Sequence, residues 1–255
     1  MKNKNVAVLA GICLLPGILV LPGSPQDAQR ILAYECVSSE ENVESFEAGM
    51  IKEIALYSKY GLPFGWEAYS TDDHRYFFLI PIENSASIDK INTAFEEAAK
   101  KAGAEYEAVE KAFIGTYDHM SLNVITLHPD LSFAPEKPRV SSDLAESTGW
   151  TFYYIKPGFE KQFMDLAKEF SALCKAKGAA DAYNLFTSEL GRDLPLVMAA
   201  SWDLSAEDYK RNTEEFWKTL GAEGEELMTK ATALCRKVES VLGKYRADLS
   251  LIPKK

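Results

Sequence analysis

The chain has 255 residues, 47% hydrophobic and 26% charged, with 28 Lys+Arg against 38 Asp+Glu and a formal net charge of −10. That balance is globular and excludes a collagen-like, disordered or polytopic membrane chain. The acidic excess, without any basic tract, also argues against a nucleic-acid partner, whose phosphates need Lys and Arg.

Lys2 and Lys4 precede an apolar run over residues 6–21, and the next charge is Asp27. A positive n-region followed by an apolar h-region is the pattern of a secretory signal. Pro16 and Gly17 break a helix near its middle, which disfavours a permanent anchor. The expectation is a signal peptide over residues 1–23, removed to leave an exported protein, periplasmic or extracellular, with no stable membrane span. A retained N-terminal anchor is the alternative. Cys13 follows Ile12, not the small residue of a lipid-attachment site, and is assigned to the removed segment.

Cys36, Cys174 and Cys235 remain, an odd number with no CxxC spacing. Cys174 and Cys235 fall on the apolar stripes of two predicted helices in the same half of the chain. They are the candidate disulfide pair, which export would favour. The alternative is two buried small hydrophobes.

The expected elements begin with a strand over 32–37 and a helix over 42–59 that carries Val43, Phe46, Met50, Ile54 and Tyr57 on one face. Strands over 64–70 and 75–82 flank the turn Thr71-Asp72-Asp73. Helices over 87–102 and 105–117 lead to a strand over 122–127. The second half repeats this order. A strand over 150–155 precedes a helix bearing Phe159, Phe163, Leu166, Phe170, Leu173 and Cys174. Strands over 183–188 and 196–202 follow, then a helix over 206–220 and another with Leu227, Met228, Ala231, Leu234, Cys235, Val238 and Leu242 on one face. A strand over 247–252 closes the set.

Short sequence matches accompany the repeated order. Ser85-Ala86, Lys90 and Asn92-Thr93 recur as Ser205-Ala206, Lys210 and Asn212-Thr213, and Gly103-Ala104-Glu105 recurs as Gly221-Ala222-Glu223. Each half therefore reads as a βαββαβ, ferredoxin-like unit, one over residues 32–128 and one over 150–252. Residues 129–149, rich in proline, serine and charge, read as a surface linker.

A one-sided antiparallel sheet alternates apolar and polar residues. The runs at 76–82, 150–155 and 196–200 are apolar nearly throughout, so both sheet faces should be covered. Helices cover one face, and the sister sheet is the economical cover for the other. The expected fold class is α+β, two ferredoxin-like units forming an intrachain pseudo-dimeric α/β barrel. This arrangement resembles the dimeric α/β-barrel superfamily, which includes cofactor-free monooxygenases, muconolactone isomerases and haem-handling proteins. The resemblance implies a site between a sheet and its helices. Fold alone selects none of these activities.

The chemistry is sparse. His119 and His128 bracket one predicted strand and would stand about 30 Å apart if extended, too far to share a metal. His74 lies in a polar hairpin turn whose spacing matches no standard zinc or calcium site. No GxSxG, GxGxxG or GxxxxGK[ST] is present, and no serine or cysteine has a recognisable His and Asp partner. Neither a metal nor a cofactor is expected.

One feature suggests binding. Trp66, Tyr69, Tyr153, Tyr183 and Trp202, with Asn92 and Asn212 at equivalent positions, could line a pocket for a small apolar or aromatic ligand. Ordinary core packing is the competing explanation for the aromatic residues. The expected function is a non-enzymatic small-molecule binding or interaction protein. The alternative is a cofactor-independent monooxygenase or isomerase.

Overall fold

The computed structural model describes residues 28–141, 145–191 and 193–253. The expected signal segment and Cys13 lie outside the described residues.

In the first half, β1 (Gln29–Val37), α1 (Val43–Tyr60), β2 (Glu67–Thr71), β3 (Arg75–Ile82), α2 (Ala86–Ala102), α3 (Ala104–Ala112) and β4 (His119–Leu127) follow in order. The second half holds β5 (Ser147–Ile155), α4 (Glu160–Lys177), β6 (Tyr183–Leu190), β7 (Leu196–Asp203), α5 (Ala206–Ala233) and β8 (Cys235–Tyr245). The eight strands close into one barrel in the order β1-β3-β2-β8-β5-β7-β6-β4, with every pair antiparallel. Starting from β4, the first half reads 4-1-3-2 and the second half reads 8-5-7-6, the same order.

Two short seams join the halves. One pairs Tyr69, Ser70 and Thr71 of β2 with Tyr245, Lys244 and Gly243 of β8. The other pairs β4 with β6 between Val124↔Leu190 and Leu127↔Phe186. Closure leaves no unpaired sheet edge.

The strands are apolar on both faces because both faces are covered. Ile31, Ala33, Phe77, Leu79, Trp150, Phe152, Phe186 and Met198 fill the barrel interior from both halves. On the outer face of the first half, Leu32, Phe78, Ile80 and Val124 pack with Phe46, Leu56 and Tyr57 of α1. The second half has two smaller clusters. Tyr153, Ile155 and Val197 meet Phe163 of α4, and Cys174 joins Leu220 and Phe133.

The repeated glycines mark a shared bend. Gly103 (φ 54°) separates α2 from α3, and Gly221 (φ 61°) kinks α5 where the second half has its two expected helices. Positive φ is the region that glycine enters without a Cβ penalty.

Three expectations are corrected. The final barrel strand is 235–245, not 247–252, and it begins inside the stretch expected to be helical. Leu234, Cys235, Val238 and Leu242 keep helical spacing, but pairing of Cys235–Gly243 with β5 and closure onto β2 override that local pattern. Residues 247–249 form a 3-10 turn instead, and Leu251 makes an isolated bridge to Trp66.

The linker is not wholly a surface connection. Leu131, Phe133 and Val140 are buried, Phe133 pairs its backbone with Tyr183, and β5 begins at Ser147.

Cys36, Cys174 and Cys235 are all free and buried, so the pair Cys174–Cys235 is not bonded. Cys174 ends α4 among Leu220 and Phe133, whereas Cys235 opens β8 beside Leu234, with its Sγ donating to the Ala231 carbonyl at 3.4 Å. Among the described residues, no helix is long and apolar enough to cross a membrane.

Candidate functional site

The two halves share a backbone plan but differ in what stands on the outer sheet face. In the first half, one row across the sheet reads Val124–Leu32–Ile80. The corresponding row in the second half is Ser240–Thr151–Ala199. Three bulky aliphatic residues are thus matched by three small ones. The first-half row is packed solid against α1, while the second-half row forms the floor of a cavity of about 410 Å³ beneath α4 and α5. A cavity of this size is within the usual range for a small-molecule site.

The cavity's character comes from its walls. Phe163 and Phe170 project from α4, and Tyr209, Phe216, Trp217 and Met228 from α5. The rings support one another: Phe170 lies 6.0 Å from both Tyr183 and Trp217, and Phe216 meets Trp217 edge-on at 5.8 Å. On the floor, Thr151 Oγ1 and Ser240 Oγ are 3.1 Å apart. The Tyr153 hydroxyl donates to the Met228 Sδ at 3.8 Å. Burial raises the Tyr153 and Tyr183 pKa values well above the ordinary phenol range, so both stay protonated at neutral pH.

One end of the cavity is polar. Asp181 and Asp203 line it, and both contact Arg139, a residue of the 129–149 segment; the Asp181 contact is 2.7 Å. The same guanidinium donates from Nη1 to Asp208 Oδ2 at 2.8 Å, and Arg211 also contacts Asp208. Asn212 Nδ2 donates to Asp203 Oδ1 at 2.9 Å, and Trp202 Nε1 donates to the Val140 carbonyl at 3.2 Å. Ser205 caps α5 by accepting the Asp208 amide at 3.1 Å, which fixes this end of the helix against the sheet.

The structure brings together four of the seven aromatic and amide residues singled out in the sequence: Tyr153, Tyr183, Trp202 and Asn212. It separates the other three. Trp66 is buried in the first-half core, donating Nε1 to the Leu249 carbonyl at 2.9 Å. Tyr69 packs in the barrel interior against Trp150 and donates to Glu67 Oε2 at 3.1 Å. Asn92 sits on the exposed face of α2, whereas its counterpart Asn212 is buried. Trp66 packs in the same buried cluster as Leu32, Ile80 and Val124, the bulky aliphatic row of the first half.

Sequence reasoning missed Thr151, Ala199, Ser240, Arg139, Asp181 and Asp203. A position-by-position comparison of the two repeats would have exposed the first three as small residues opposite Leu32, Ile80 and Val124.

No family model matches the chain, and no curated protein does. Solved structures do match. An anthrone oxidase-like protein superposes with a TM-score of 0.59 at 12% identity, over 86% of this chain and 91% of that one. A proposed monooxygenase from Lactobacillus acidophilus gives 0.49 at 10% identity, over 90% and 100% of the two chains. A heme-binding protein from Thermus thermophilus gives 0.44 at 12% identity, over 88% and 94%. The first likeness is one of fold: this chain has mixed α and β content and an eight-stranded closed antiparallel barrel.

The cavity does not suit haem. Its charged lining side chains are Asp181 and Asp203, which would repel both propionates, and none of its lining residues is a histidine. Among the described residues, no group of His, Cys, Asp and Glu is placed to hold a metal ion.

Proposed function

We propose that this chain is a small-molecule-binding protein whose second half holds an apolar, ring-bearing ligand between its sheet and α4–α5. The observation that carries the reading is the row Ser240–Thr151–Ala199 opposite Val124–Leu32–Ile80: one half has the cavity that the other has filled. The shared strand order supports describing the barrel as two ferredoxin-like units fused in tandem. The basic-then-apolar pattern of residues 1–23 supports export of the protein.

The test uses N-phenyl-1-naphthylamine, a neutral probe whose fluorescence rises in apolar surroundings. Saturable enhancement is expected from the native chain. It should fall at least ten-fold in the triple variant Thr151→Leu, Ala199→Ile, Ser240→Val, which copies the first-half row. Equal, saturable enhancement by a folded triple variant would place the site elsewhere.

A second reading, cofactor-independent oxygenation or isomerisation, draws on the Asp203–Asn212 pair at the end of an otherwise apolar cavity. It ranks lower because the Asp203 carboxylate is engaged by both Arg139 and Asn212 and does not stand as an open base. Dioxygen consumption with an anthrone as substrate, abolished by Asp203→Asn, would reverse that ranking.

A further inference from the structure

We infer that the ligand carries a cationic nitrogen, an ammonium or amidinium group on an apolar ring system; this rests on the cavity being a binding site. The electrostatics of the lining have one sign. Asp181 and Asp203 are its only charged side chains, and neither Lys, Arg nor His is among the lining residues.

Their counter-charge is incomplete. Both carboxylates share the single guanidinium of Arg139, which Asp208 also engages. Arg211 contacts Asp208 and is largely exposed, its side chain 66% accessible. Among the described residues, two guanidiniums therefore serve these three carboxylates, one cation fewer than the carboxylates they contact. Both contacts to Asp203 from Arg139 and Asn212 fall on Oδ1, so Oδ2 takes neither of them.

Aromatic faces extend the same preference. Eight of the lining side chains are aromatic, and ring faces attract a cation through their quadrupole. A cation therefore meets attraction from the rings and from the carboxylates at the polar end. A carboxylate or phosphate ligand would meet Asp181 and Asp203, whose shared partner Arg139 is already engaged and is not among the lining residues, in an apolar cavity that screens charge poorly. The ligand class is accordingly a hydrophobic amine, not a fatty or aromatic acid.

The test is calorimetric titration of the full chain with three probes of one shape: 2-naphthylmethylammonium, 2-naphthylmethanol and 2-naphthoate. Physiological ionic strength screens the overall acidic charge of the protein beyond about 8 Å, so the comparison reports the site. The expected order is ammonium, alcohol, carboxylate, with the ammonium at least ten-fold tighter than the alcohol. Asp181→Asn and Asp203→Asn should each narrow that gap between ammonium and alcohol. If Asp203→Asn fails to fold, Asp181→Asn and the native probe order still decide. An alcohol that binds as tightly as the ammonium overturns the cationic class and leaves the pocket standing. Failure of all three probes overturns the pocket reading itself.

Discussion

The ring of Tyr209 packs directly on the backbone of Gly149: a Cβ at that glycine would overlap Cε2, Cζ and the hydroxyl oxygen of the tyrosine. Tyr209 lines the cavity, so this close approach sets where α5 stands over β5. Gly149→Ala is expected to destabilise the fold by about 1–3 kcal/mol through overpacking. It should also weaken probe binding. Tyr209→Ala in the same chain should relieve part of the stability loss, so a double-mutant cycle by urea unfolding should be non-additive. Strict additivity would show that the two residues are not coupled.

Arg139 is the hub for Asp181, Asp203 and Asp208. Arg139→Ala leaves these carboxylates crowded without their shared cation, and Asp203 and Asp208 are both buried. The expected loss lies toward the lower end of the ~3–5 kcal/mol typical of breaking a buried pair, since the Arg139 side chain remains 27% exposed. Arg139→Lys should recover less than half of the loss, because one ammonium cannot reproduce a planar fork to three acceptors. Thermal unfolding of the two variants reads this directly, and full recovery by lysine would show that charge alone matters.

Glu53 on α1 has its pKa raised from 4.5 to about 7, mainly by burial and further by Glu110, with Tyr57 pulling the other way. A carboxyl raised on folding keeps its proton longer in the folded state than in the unfolded chain. Its penalty is therefore absent at low pH, grows as pH rises from about 4.5 to about 7, and levels off above that. The full effect is at most about 3 kcal/mol. His128 acts in the opposite sense, since burial holds it below 6.5 and stability falls as pH drops through that range. Urea unfolding should find Glu53→Gln more stable than the native chain at pH 8 and nearly equal to it at pH 5. An identical difference at both pH values would remove Glu53 from the pH response.

Burial pushes the Cys36 and Cys174 thiols up to about 12, and Cys235 is raised as well. The thiolate is the reactive form, so iodoacetamide at pH 8 should leave all three unlabelled in the folded protein. After unfolding without reductant, peptide mapping should find each of them alkylated. Resistance of Cys174 and Cys235 until reduction would restore the disulfide.

Much of the architecture was legible because it was written twice. Ser85 and Ser205, Asn92 and Asn212, and Gly103 and Gly221 recur in the same order, and both glycines bend the chain at the same stage of each half. The doubly apolar strands announced cover on both faces. The last strand was hidden because Leu234, Cys235, Val238 and Leu242 satisfy a helical period, while their strand pairing depends on β5, some eighty residues away.

The site was half legible for a related reason. Aromatic residues draw attention in a sequence, but Trp66 and Tyr183 differ only in what stands around them. A cavity is defined by what is small, and Thr151, Ala199 and Ser240 carry no mark until their counterparts Leu32, Ile80 and Val124 are set beside them.

The covalent joining of two like halves has a consequence for how such a barrel can change. In a symmetric dimer of separate chains, every substitution occurs on both sides at once. A mutation that hollows one pocket hollows both, and the stability lost is doubled. Here the first half retains a solid core while the second half carries the cavity. Fusion lets the two rows differ: one copy keeps its bulky aliphatic residues as a framework, and its sibling is free to carry small ones.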